Sequence, residues 1–169
     1  MPAMDTLLAI ASKRDTRQYA DKAIPNDATK RILDAGRLSG SAQNRQRWRF
    51  LLIESPEVRE RLAEAVYVPD NIKGAKLVLG IQSSSSMDVG RCIQNMMLAA
   101  WNDGIASCPN GIADAGKAQE ALGLSEEDRV AVVLTFGYPA KERDPLQRTP
   151  EGWSAEANRK SLDELVERL

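Results

Sequence analysis

The stretch MDVGRCIQNMMLAAWNDG, residues 87–104, carries the longest helical pattern in the chain and is apolar nearly all round. A helix with so little polar face belongs at the centre of a fold or at an interface. Gly104 supplies its C-terminal stop. Just upstream, QSSSS (82–86) is the only low-complexity patch. It reads as a cap for this helix, although a helix N-terminus can also receive an anion. Before it, AKLVLGIQ (75–82) reads as a strand. After it, IASCP (105–109) reads as a short extended piece.

Farther out, RVAVVLTFGYP (129–139) is a buried strand ended by Gly137 and Pro139, and DAGKAQEALGL (114–124) is a helix capped by Asp114. WRFLLIE (48–54) is another strand. SPEVRERLAEAV (55–66) has Ser55 as N-cap and Pro56 at the first helical position, where its missing N–H costs nothing. IPNDATKRILDAGRL (24–38) starts at Pro25 and Asn26, builds one face from Ile32, Leu33 and Leu38, and stops at Gly40. MDTLLAIASKRD (4–15) places Leu7, Leu8, Ile10 and Ala11 at helical spacing, and RKSLDELVERL (159–169) predicts a terminal helix. The link from about residue 141 to 158 is polar and weakly patterned, so it is either a long arm or partly disordered. With no internal repeat and no second domain, the mixed order of elements predicts a single α+β or mixed α/β sandwich.

A chain of 169 residues, 43% of them hydrophobic, suits one domain with a real core. The net charge of -1 argues against a dedicated nucleic-acid binder. RQRWR (45–49) does interleave arginine with an aromatic, as single-strand binders do, but the overall acidity counts against that reading. No apolar run approaches the roughly 20 residues that span a bilayer. The charges at the N-terminus follow the short apolar stretch, the reverse of a secretory signal. A cytoplasmic protein with no membrane partner is expected. Cys92 and Cys108 fit neither a disulfide framework nor a zinc site and read as buried free thiols. The chain has no histidine, which excludes a Ser-His-Asp triad, a Cys-His pair and any His-ligated metal. An enzyme of this composition leaves its chemistry to a cofactor or to solvent.

Three basic clusters lie far apart in sequence: Lys13, Arg14 and Arg17; Arg45, Arg47 and Arg49; Arg159 and Lys160. Each suits a solvated face, but such clusters near helix ends can also converge on one phosphate, which the planar fork of arginine grips with two parallel hydrogen bonds. CPNGIAD (108–114) is a Pro-x-Gly turn, either a simple turn with Asp114 as N-cap or a stretch whose exposed backbone N–H groups meet the edge of a flat ligand.

Taken together, these residues resemble the nitroreductase family of FMN-dependent oxidoreductases, in order and over nearly the whole chain. KRDTRQY (13–19) resembles the family's Arg-Arg-Ser-x-Arg-x-Phe/Tyr opening. The run from Ile24 to Glu54 resembles its Pro-x-x-x-x-x-x-Ile-Leu-x-Ala and Ser-x-x-Asn-x-Gln-Pro-Trp-x-Phe. The run from Asp88 to Pro109 resembles its Asp-x-Gly-x-x-x-Gln-Asn-x-x-Leu-Ala-Ala helix with Gly-x-x-Ser-Cys beyond. Residues 122–139 resemble the strand ending in Gly-Tyr-Pro, and RKSLDELV (159–166) the closing Arg-Lys-Pro-Leu-Glu-Glu-Val.

The resemblance implies an α+β three-layer sandwich, with a mixed, mainly antiparallel sheet between helices, in an intertwined homodimer with two FMN sites at the subunit interface. Residues 1–169 would form one FMN-binding domain, with 141–169 as an arm reaching the partner. Lys13, Arg14, Asp15 and Arg17 would meet the FMN phosphate, ribityl chain and ring edge, joined by Arg159 and Lys160. Gly40, Ser41, Ala42, Asn44 and Gln46 would line the flavin from the partner subunit. Pro109, Asn110 and Gly111 would pass the flavin face and offer backbone N–H near N5. The helix bearing Gln94 and Asn95 would form much of the dimer interface. Arg45 and Arg47 would sit at the rim and attract NAD(P)H, and Lys73 is a candidate for the pyrimidine edge.

The implied activity is hydride transfer from NAD(P)H to flavin and then to a nitroaromatic, quinone or similar acceptor, in a ping-pong cycle that assigns no side chain a catalytic role and needs no metal. Asp15 stands where serine is common, as in the flavin-fragmenting branch of the superfamily. Arg47 and Ser161 replace prolines, and the segment from Tyr67 to Lys76 is short where many members insert covering helices, implying an open pocket. Fragmentation of reduced FMN using Asp15, a non-catalytic flavin-binding role, and a deazaflavin in place of FMN are the alternatives.

Overall fold

A computed structural model describes residues 4–169 of the chain. The central strands read as near-continuous apolar runs because both their faces are covered. On β2 (Leu77–Ser83) and β4 (Val130–Gly137), alternate side chains point to opposite faces. Leu77, Leu79, Ile81, Val132, Leu134 and Phe136 join one core, and Val78 and Val133 join the other. The first core is closed by α2 (Asn26–Arg37) and α5 (Ser86–Asn102). The second is closed by α3 (Pro56–Ala63), α4 (Pro69–Lys73) and α6 (Ala115–Leu122). The expected three-layer α+β sandwich is the result.

The sheet runs β1-β2-β4-β3, with β1 at Trp48–Leu52 and β3 at Ala106–Asn110. All three strand pairs are antiparallel. The parallel component among the described residues is an isolated bridge, Asp15 to Ser107, which lays the segment after α1 (Thr6–Ser12) along the outer edge of β3. Thr16 N–H donates to the Ser107 carbonyl there at 3.0 Å.

The long helix α5 is as central as its composition demands. Its inner face buries Val89, Cys92, Met96, Met97, Ala100 and Trp101. Gly36 lets α2 come close: a Cβ there would sit 2.9 Å from both Met96 Sδ and Phe50 Cζ. The serine patch does cap α5, with Ser85 Oγ accepting from Asp88 N–H at 3.4 Å, and Ser83 Oγ donates to the Arg47 carbonyl. Gly104, at φ 72°, takes the left-handed conformation that ends the helix. Burial raises both thiols, Cys92 to about 11, so they stay protonated and inert near neutral pH. Among the described residues, no helix is long and apolar enough to cross a membrane.

Two sequence expectations need correction. Residues 159–169 do not form a helix; they hold one turn, with Leu165 and Val166 N–H donating to the Leu162 carbonyl. The helix near this end is α7 (Pro150–Glu156), inside the link that had no clear pattern. The reason is burial. Trp153 anchors α7 with 2% exposure, whereas Leu162, Leu165 and Val166 have nothing to pack against in one chain, and a short helix without a packed face is marginal. The short α4 was also unforeseen; a single turn has too few residues to show periodicity.

Candidate functional site

The outer edge of β3 organises the site. Pro109 is tolerated there because an edge strand needs no donor from it. The Asn110 side chain points inward and is 5% exposed. Its Nδ2 lies within 3.0–3.1 Å of the Cys108 and Val133 carbonyls and of Thr135 Oγ1, and its Oδ1 accepts from Asn71 Nδ2 at 2.7 Å. Thr135 Oγ1 in turn meets Tyr19 Oη at 3.1 Å. Burial pushes the Tyr19 phenol well above its ordinary range, so it remains a neutral hydrogen-bonding group. This buried chain of amides and hydroxyls ties α4, β3, β4 and the 13–19 segment together. It fixes the Pro109–Gly111 backbone, while the Asn110 amide itself is committed to the interior.

Gly111 leaves that backbone bare. A Cβ there would lie 3.3 Å from Cδ2 of Tyr67, whose side chain is 74% exposed. Tyr67 lies against this edge, a neighbour that sequence reasoning missed, because nothing in its local pattern ties it to a glycine forty-odd residues away. Replacing Asn110 with leucine strands the buried Asn71 amide and is expected to cost about 2 kcal/mol. Thr135→Val orphans no partner and should cost about 1 kcal/mol. Urea unfolding checks both; equal losses would mean that the network is not centred on Asn110.

The basic segment after α1 meets β3 on one side and α7 on the other. Lys13 Nζ is 2.5 Å from Asp15 Oδ1 and 3.3 Å from Met97 Sδ on α5. Asp15 is thus balanced by Lys13. Arg14 donates to the carbonyls of Ala11 (2.6 Å), Lys13 (2.9 Å) and Trp153 (2.8 Å), and its guanidinium lies 5.7 Å from the Trp153 ring centre. Those bonds use three of its five N–H donors. Burial, then the charges of Arg143 and Arg159, push Arg14 below its ordinary value, with Glu156 opposing. Lys13, Arg14, Asp15 and Arg159 border a cleft of about 1060 Å³, together with Leu7, Ile10 and Gln94. Around it, Lys13, Arg14 and Arg159 outnumber the carboxylates of Asp15 and Glu151 by one. Arg17 lies with Arg14 and Asp15 in an adjoining cleft, and Lys160 is exposed beside Arg159.

The remaining expected residues lie elsewhere in the chain. The loop of Gly40, Ser41, Ala42, Asn44 and Gln46 precedes β1, at the sheet edge opposite β3, roughly 14 Å away at the usual strand spacing. It leans on the start of α5, where Ala42 N–H faces Asp88 at 3.4 Å, whereas Lys13 touches Met97 about two and a half turns on. Ser41 Oγ accepts from Gln46 N–H at 2.9 Å. Gln43, Asn44 and Gln46 all take positive φ (53°, 54° and 47°), an uncommon cluster for residues other than glycine. Arg45 turns to Gln43 Oε1, and Arg47 lines a separate cleft with Arg49 and Arg129. Lys73 is bound to Glu60 at 3.0 Å.

The sequence model of the nitroreductase family matches residues 10–79 and 79–138. The chain is 28% identical over 154 residues to an Archaeoglobus fulgidus protein named, provisionally, an NADH dehydrogenase/NAD(P)H nitroreductase, covering 83% of this chain and 88% of that one. Among solved structures, a nitroreductase family protein from Clostridium difficile superposes with a TM-score of 0.82 at 23% identity, covering 97% of this chain and 98% of that one. A provisionally assigned nitroreductase from Desulfovibrio desulfuricans, solved in complex with FMN, gives 0.81 at 25% identity, with 98% of each chain covered.

Proposed function

Because this chain belongs to the nitroreductase family, we propose that it is an FMN-dependent oxidoreductase that accepts hydride from NAD(P)H and passes the electrons to a nitroaromatic, quinone or similar acceptor in a ping-pong cycle. The observation that carries this reading is the convergence of Lys13, Arg14 and Arg159 on one cleft, in a segment bridged to the same β3 edge whose backbone carries no side chain at Gly111. A phosphate fits the first feature and a planar ring the second. The donor set suits FMN: Lys13, Arg14, Arg159 and Lys160 for the phosphate, Asp15 and Arg17 beside the ribityl chain and ring edge, and Pro109–Gly111 along the ring. The bound flavin would supply the electron chemistry, accepting hydride and releasing it to the acceptor.

The residues of this chain then bind and orient. The Asn110 network holds the β3 edge rigid, so that its backbone donors need not reorganise when charge develops against them. Tyr67, largely exposed over Gly111, shields one side of that edge and leaves the pocket open to varied acceptors. Protons come from solvent, which suits a chain without histidine.

The site is completed by a second copy of the chain. Its Gly40–Gln46 loop is needed because the loop in the same chain sits at the opposite sheet edge. The surface suits such pairing. Gln94 and Asn95 are exposed on α5, and Leu7 and Ile10 on α1 are 59% and 51% exposed. Leu162 borders the same cleft as Leu7, Ile10 and Gln94, and the segment 159–169, with Leu165 and Val166 exposed, serves as the arm to the partner, since residues 145–157 pack on their own chain through Trp153.

The visible spectrum of the purified protein, before and after anaerobic NADPH, tests this reading. A flavin band that bleaches supports it. A band that persists under both NADPH and NADH points to flavin fragmentation or a binding role. No band after incubation with FMN overturns the cofactor assignment.

A further inference from the structure

Beside the proposed flavin cleft lies a second one, of about 470 Å³, between residues 14–18 and the 139–156 segment. Its charge is unbalanced. Arg148 is paired with Glu156 at 2.7 Å, and Asp15 with Lys13. With Arg14 assigned to the flavin phosphate, that leaves Arg17, Lys141 and Arg143 facing one uncommitted carboxylate, Glu142, among the described residues. Three such cations converging in a chain of net charge -1 form a local concentration that suits a further anion. Trp153 lines it as well, and the guanidiniums of Arg143 and Arg148 lie over its ring at 5.9 and 4.7 Å.

We propose that this cleft binds the phosphorylated adenosine end of the reductant, with Lys141 and Arg143 receiving a 2′-phosphate, and that the protein therefore selects NADPH over NADH. The inference rests on the reductase reading above. Two facts connect them. Arg14 and Asp15 border both clefts, so a ligand here lies against the cofactor site. A dinucleotide pyrophosphate neutralises only two of these three cations, whereas a phosphate monoester adds ~1.5 to 2 further negative charges near pH 7.

Calorimetric titration of the FMN-loaded protein with 2′,5′-ADP, 5′-ADP and inorganic phosphate tests this without turnover. The expected result is that 2′,5′-ADP binds about tenfold or more tightly than 5′-ADP. Arg143→Ala should erase the difference while FMN content is unchanged. Because Arg143 also covers Trp153, Lys141→Glu serves as a second variant at an exposed side chain and should act the same way. Equal affinity for the two nucleotides, or selectivity that survives both variants, overturns the proposal. Inorganic phosphate binding as tightly as 2′,5′-ADP overturns the assignment to a nucleotide. Selective 2′,5′-ADP binding by a protein whose flavin neither dinucleotide reduces supports the site and sinks the reductase reading alone.

Discussion

Replacing Trp153 with alanine is expected to cost about 3–5 kcal/mol, within the usual range for removing a large buried aromatic. The side chain is 2% exposed and joins three parts of the structure. Its Nε1–H donates to the Pro145 carbonyl at 2.8 Å, closing the short turn before α7. Its ring underlies Arg14, Arg143 and Arg148, and its own carbonyl takes a bond from Arg14. Alanine removes the indole and leaves the Pro145 carbonyl without its donor. For a chain of this length such a loss lowers the thermal midpoint by roughly 10 °C. Trp153→Phe keeps most of the burial and should lose about half as much or less. Thermal melts followed by circular dichroism read both. A midpoint within 2 °C of the parent for Trp153→Ala, on the order of 1 kcal/mol or less, would mean that α7 contributes little to global stability.

The second large effect concerns the cofactor. The double variant Lys13→Ala, Arg159→Ala is expected to weaken FMN binding about a hundredfold or more, since each hydrogen bond from a cation to a phosphate is worth roughly 1.5–3 kcal/mol. Lys13 has a further influence: its loss leaves the Asp15 carboxylate unbalanced next to the anion. Flavin fluorescence on titration into apoprotein gives the dissociation constant. Arg45→Ala with Arg47→Ala is the matched control, because Arg45 turns to Gln43 and Arg47 lines a different cleft. If the control weakens FMN as much as the double variant does, the phosphate does not sit at the end of α1. If neither changes affinity, the basic cluster is a solvated face.

Much of this was legible in the sequence because it is local. The faces of β2 and β4 follow from alternation, the centrality of α5 from its missing polar stripe, and the caps at Ser55, Ser85 and Asp114 from their place before each helix. The arginine and lysine clusters were visible too, as solvated faces or as candidates to converge on a phosphate. What remained hidden was non-local. Nothing along the chain says that Asn110 is spent on Asn71, Val133 and Thr135, since those partners arrive from a helix and a neighbouring strand. The pairing of Asp15 with Lys13 depends on how the chain turns onto the β3 edge. Trp153 lies in a polar link, yet the packing of α7 on α1 and the bond from Trp153 to the Pro145 carbonyl hold α7 as a helix.

The sequence by itself determined the kinds of element, their order and the residues able to hold a phosphate and a flat ring, because periodicity and side-chain chemistry are properties of neighbours. Only the tertiary structure decided which of those residues share a site. The order β1-β2-β4-β3 sets the Gly40–Gln46 loop and the Pro109–Gly111 edge on opposite sides of the sheet, while the bridge at Asp15 brings Lys13, Arg14 and Arg17 to the latter. The terminal segment shows the same division. Its helical pattern is real, but a pattern becomes a helix only where a packed face offsets the ordering entropy, and within one chain there is none.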